Sequence, residues 1–134
     1  MLEKFFSSIG FGGVEVDTNI DRNTFSPGET VKGTMHVKGG NADQEINGIK
    51  LTLFVTHNEV REDSDLSYYD EELTQVILKD LTKIKAKEEK KLPFQIQLKN
   101  NHPKTGENVE SFIQTKLLVI NGVDPADKDI IIIK

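Results

Sequence analysis

The sequence predicts an all-β sandwich of about seven short strands. Three observations carry this prediction. Apolar and polar residues alternate over most of the chain, turn residues recur at fairly even spacing, and helical spacing is confined to residues 1–9. A period of two belongs to a strand with one buried face, because successive side chains leave a strand on opposite sides.

Leu2, Phe5, Phe6 and Ile9 fall at helical spacing, so the chain is expected to open with a short amphipathic helix. Lys4 is its only basic residue, so packing over a sheet end is expected and a membrane anchor is not. Gly10-Phe11-Gly12-Gly13 precedes a strand, whereas a phosphate-cradling loop follows a strand and opens a helix. These glycines are therefore expected to turn the backbone. Val14, Val16, Thr18 and Ile20 then alternate with Glu15, Asp17 and Asn19 as a first strand. In Ser26-Pro27-Gly28-Glu29, proline fixes one φ and glycine frees the next, which reverses the chain. Val31, Gly33, Met35 and Val37 form the next buried face, closed by Gly39-Gly40.

Ile49, Leu51, Leu53 and Val55 continue as a strand to His57. The segment from Glu59 to Glu72 carries seven acidic residues against Arg61 and reads as an exposed hairpin connection or loop. Leu73 to Leu81 resumes as strand on the β preference of Val76 and Ile77. The Lys-rich stretch from Thr82 to Lys87 reads as a linker or outer-edge strand. Leu92, Phe94, Ile96 and Leu98 mark another one-sided strand, and Pro93 puts it at a sheet edge or at its own start. Asn100 to Gly106 is a loop. Phe112 to Ile120 is a strand ending at the Asn121-Gly122 turn, and Ile130 to Ile133 is a last short strand after the acidic turn DPADKD.

The chain has 134 residues, enough for one domain with its own core. Cysteine is absent, which removes disulfides, thiolate metal sites and thiol nucleophiles and suits a cytoplasmic location. A formal net charge of −5 argues against nucleic acid as a partner. The opening residues lack a secretory signal pattern, and no run approaches the ~20 apolar residues of a membrane helix.

The order Ile9-Gly10-Phe11-Gly12, Val16-Asp17-Thr18, Pro27-Gly28-Glu29, Val31, Gly33, Gly39-Gly40 and Ile49-Lys50-Leu51-Thr52-Leu53 resembles one family. Asp124-Pro125-Ala126-Asp127-Lys128-Asp129-Ile130 extends the likeness towards the last strand. The chain is similar to the N-terminal half of the bacterial sporulation-control proteins of the stage-zero M type. That resemblance implies an arrestin-like, immunoglobulin-like sandwich over residues 1–134, with the family's second lobe absent. It also implies a cytoplasmic regulator that binds a protein.

No catalytic set stands out: His36, His57 and His102 share no ligand-like spacing, and no nucleophile is paired with a base. Asp124, Asp127 and Asp129 lack the layout of a calcium loop and read as a turn with Asp127 and Asp129 exposed on it. No enzyme, metal or cofactor is expected. The candidate partner contacts are Glu59, Glu62, Asp63, Asp65, Leu66, Tyr68 and Tyr69, an aromatic pair inside an acidic exposed segment. Ile130, Ile131, Ile132 and Ile133 are apolar on both faces and are expected to form an unpaired edge that drives a homodimer. A carbohydrate- or small-ligand-binding sandwich is the alternative, but Trp is absent and only two Tyr are present.

Overall fold

The computed structural model describes residues 13–60 and 66–134, with the side chains of 59, 60 and 66–69 left aside. The expected N-terminal helix and the Gly10 to Gly12 turn lie outside the described residues.

Nine strands are described: β1 (Glu15–Ile20), β2 (Thr24–Phe25), β3 (Thr30–Lys38), β4 (Gln44–Val60), β5 (Leu66–Leu78), β6 (Lys83–Ile84), β7 (Glu89–Gln97), β8 (Val109–Val119) and β9 (Ala126–Ile133). They make an all-β sandwich. One sheet has the order β1-β3-β7, the other β2-β9-β8-β4-β5, with β6 pairing the start of β4. All pairings are antiparallel except β2 with β9, where Thr24 faces Ile132 and Phe25 faces Ile133.

The core forms where the alternating faces meet. Val16, Val31, Met35, Val37, Phe94 and Ile96 of the small sheet pack on Ile49, Leu51, Leu53, Ile113, Leu117, Ile131 and Ile133 of the large one. Each such side chain contributes about 1.5–3 kcal/mol on leaving water. At the predicted Ser26 to Glu29 turn, Gly28 has φ +87° and the Glu29 N–H donates to the Ser26 carbonyl at 3.1 Å. Gly48 (φ +118°) sits where β4 shifts register against β8 between Ile46 and Ile49.

Several expectations need correction. β4 runs on past His57 to Val60, and β5 begins at Leu66, so residues 66–72 are strand and not loop. Cross-strand pairing with β4 overrides the acidic composition there, with Asp70 opposite Thr56 and Tyr69 opposite His57. The strand expected to reach Leu81 stops at Leu78. Asp127 and Asp129 are not exposed on a turn but buried within β9.

The last isoleucines do not form an unpaired edge. β9 lies between β8 and β2, the Ile132 N–H donates to the Asn23 carbonyl at 2.8 Å, and the Lys134 N–H donates to Phe25 at 2.8 Å. Ile131 and Ile133 point into the core, while Ile132 is 39% exposed.

Candidate functional site

The two long sides of the sandwich differ. On one side, β1 is tied to the large sheet through buried polar groups. The Thr18 N–H donates to Asp127 Oδ2 at 2.7 Å, and the Thr18 hydroxyl donates to Thr115 Oγ1 at 2.8 Å. All three residues are buried, so these bonds form away from competing water.

On the opposite side, no strand among the described residues joins the two sheets. β5 ends the large sheet and β7 ends the small one. A cleft of about 600 Å³ is lined by Thr74 and Val76 of β5 and by Gln97, Leu98, Lys99, Asn100 and Asn101. A second of about 530 Å³ includes Leu78 and Asp80 on one wall and Pro93, Phe94 and Gln95 on the other. The start of the Thr74–Leu78 stretch shares a cleft with the end of β7, and its end shares one with the middle of β7, so the two strands run in opposite directions along the seam. The Thr74 hydroxyl oxygen is shut off from solvent and has no hydrogen-bond partner among the described residues.

The acidic part of β5 lies next to this seam. Asp70, Glu71 and Glu72 are exposed. Asp70 accepts a hydrogen bond from the Thr56 hydroxyl at 2.8 Å, and His57 Nε2 lies 3.1 Å from Glu71. Of the sequence-predicted contacts, Glu62, Asp63 and Asp65 lie outside the described residues. Glu59, Leu66, Tyr68 and Tyr69 are placed by their backbone on β4 and β5, with Glu59 opposite Ser67 and Tyr68 opposite Asn58.

Two further polar clusters serve the framework. His102 is buried in the loop after β7, with Nε2 2.9 Å from the Ser111 hydroxyl, and burial holds its pKa below the ordinary 6.5. Arg22 donates to Glu29 and lies 4.8 Å over the Phe25 ring. This guanidinium, with the Ser26 N–H at 2.6 Å, lowers the Glu29 pKa and braces the turn into β3. Among the described residues, no group of three or more His, Asp or Glu is placed to hold a metal ion. None of their helices is long and apolar enough to cross a membrane.

The sequence model of the Spo0M family, described as SpoOM protein, matches residues 2–134. The chain belongs to the Spo0M family. It is 33% identical over 132 residues to the sporulation-control protein Spo0M of Bacillus subtilis strain 168, covering 98% of this chain and 51% of that protein. It also superposes on the crystal structure of Spo0M from Bacillus subtilis with a TM-score of 0.84 at 31% identity. That match covers 92% of this chain and 50% of the other. The chain thus spans about half the length of the Spo0M proteins it matches. The arrestin-like sandwich expected from the resemblance is the fold it has.

What the sequence did not reveal is the asymmetry of the two sides. One signal for it was present: Asp127 and Asp129 share the period-two face of Ile131 and Ile133, which puts them inside. The openness of β5 depends on which strands are neighbours, and no local pattern states that.

Proposed function

We propose that this chain is a non-catalytic protein-interaction lobe that takes part in sporulation control in the bacterial cytoplasm. Its partner is a protein, engaged by strand edges and loops and not by chemistry at a pocket. The observation that carries this reading is the match to the Spo0M family through residues 2–134. A long strand with a free edge among the described residues, at one side of the sandwich, supports the mode of contact.

The test is a graft. Residues 1–134 replace the matching half of Spo0M in a Bacillus subtilis strain lacking that protein, and heat-resistant spores are counted. Recovery of the spore count that native Spo0M gives is the expected result. A folded, expressed graft that leaves the count at the level of the deletion strain overturns the proposal.

A further inference from the structure

We propose that the outer edge of β5 receives an extended basic polypeptide segment as an added strand, its backbone pairing along Thr74–Leu78 and its cations facing Asp70, Glu71 and Glu72. This deepens the functional reading above and rests on it.

The choice of strand follows from comparing the four edges. β2 is two residues long and already pairs with β9. β1 is tied to Asp127 by the bond from Thr18. β7 carries Pro93 in its middle, which has no N–H to offer, together with Lys90 and Lys91. Proline and lysine are common ways of blunting an edge. β5 has 13 residues and no proline, and β4 is its only partner among the described strands. An edge strand of this kind presents a row of backbone donors and acceptors to any chain that can lie alongside it.

The side chains support the same reading. Ile77 is 45% exposed, a large apolar group on the outer face of β5. Val76 with Leu98, and Leu78 with Pro93 and Phe94, give each cleft an apolar part within a lining that is otherwise polar, so alternate side chains of an added strand have hollows to fill.

Charge decides the occupant. Asp70, Glu71 and Glu72 are exposed in succession, and among the described residues no Lys or Arg makes an ion pair with them. A register shift between β4 and β5 at Leu53/Phe54 separates these carboxylates from the apolar Thr74–Leu78 stretch. A second copy of this chain would bring the same acidic residues into a protein of net charge −5. Like charges across a strand pair are destabilising, so the acidic stretch that repels a copy attracts a lysine- or arginine-rich strand.

The experiment uses the full chain and two synthetic peptides of equal length, one alternating lysine with valine and one alternating glutamate with valine. Binding is followed by NMR titration and by hydrogen exchange. The lysine–valine peptide is expected to bind saturably, at least about tenfold tighter than the acidic one, and to weaken severalfold between low and physiological salt. Amide protection should rise on β5 and not on β7. Glu71→Lys with Glu72→Lys, at exposed positions, should leave the fold intact and reverse the peptide preference. Gln75→Pro should remove binding of both peptides.

Equal affinity for the two peptides, protection confined to other strands, or a dimer formed through β5 without peptide would overturn the inference. Failure of the lysine–valine peptide to bind a chain that restores sporulation sinks this inference and leaves the functional reading in place. Specific binding by a chain that does not restore sporulation supports the strand site and removes the sporulation role.

Discussion

The Thr18 N–H and Asp127 Oδ2 meet at 2.7 Å across 109 positions of sequence, joining the small sheet to the large one. The carboxyl oxygen occupies the place where a neighbouring strand's carbonyl would lie. Because the pair is buried, removing the acceptor strands a backbone donor away from water. Asp127→Ala is expected to cost about 2–3 kcal/mol, and Asp127→Asn, which keeps an oxygen acceptor, less than about half of that. Urea denaturation midpoints of the two variants measure the difference. Equal losses would show that the bond to Thr18 contributes little.

His102 gives the fold a pH dependence with a defined sign. Its pKa is lowered by burial, so the unfolded chain takes up a proton near 6.5 while the folded chain does not. Its contribution is complete above pH 6.5 and declines as the pH falls from there towards the lowered folded value. The slope cannot exceed about 1.4 kcal/mol per pH unit for one proton. His102→Gln should flatten this part of the profile, measured as the difference in urea midpoint between wild type and variant from pH 8 to pH 5. Parallel profiles would remove His102 as the cause.

Gly33 is fixed by crowding. A Cβ there would stand 2.3 Å from the Asn19 carbonyl oxygen and 2.8 Å from the Phe94 ring. Gly33→Ala should therefore destabilise by about 2–3 kcal/mol or more. At Gly106 a Cβ meets nothing within 4 Å, so Gly106→Ala should stay within about 0.5 kcal/mol. Paired thermal melts compare them directly.

The isoleucines of β9 should divide by face. Ile131 is fully buried, and Ile131→Ala should cost about 2–4 kcal/mol. Ile132 is partly exposed, and Ile132→Lys should stay folded with less than about 1 kcal/mol lost. Chemical denaturation of both variants, with light scattering to read the association state, checks this. A collapse of Ile132→Lys would place that side chain in a contact the fold does not show.

How much was legible depended on whether a residue's surroundings are local. Val31, Met35 and Val37 on β3, and Phe94 and Ile96 on β7, alternate cleanly because one face meets the core and the other meets water. Pro93 marked β7 as an edge for a reason internal to proline. Thr24–Phe25 and Lys83–Ile84 are too short to show a period, and only their pairing with β9 and β4 makes them strands. Asp70 to Glu72 reads as loop because an edge strand exposed to solvent needs no apolar alternation. Residue type alone puts Asp127 on the surface, whereas its acceptor role depends on Thr18, far away in sequence.

The dependence of early strands on β9 also sets the order in which this chain can mature on the ribosome. Among the described strands β2 finds its only partner in β9, and the outer edge of β1 is tied to Asp127. Neither can reach its final environment until residues 126–133 have left the exit tunnel. Until then, the nascent chain holds β1 and β2 without the strand that covers them, a period of exposure to chaperones and to mispairing. Any pause that holds β9 inside the tunnel would prolong that period.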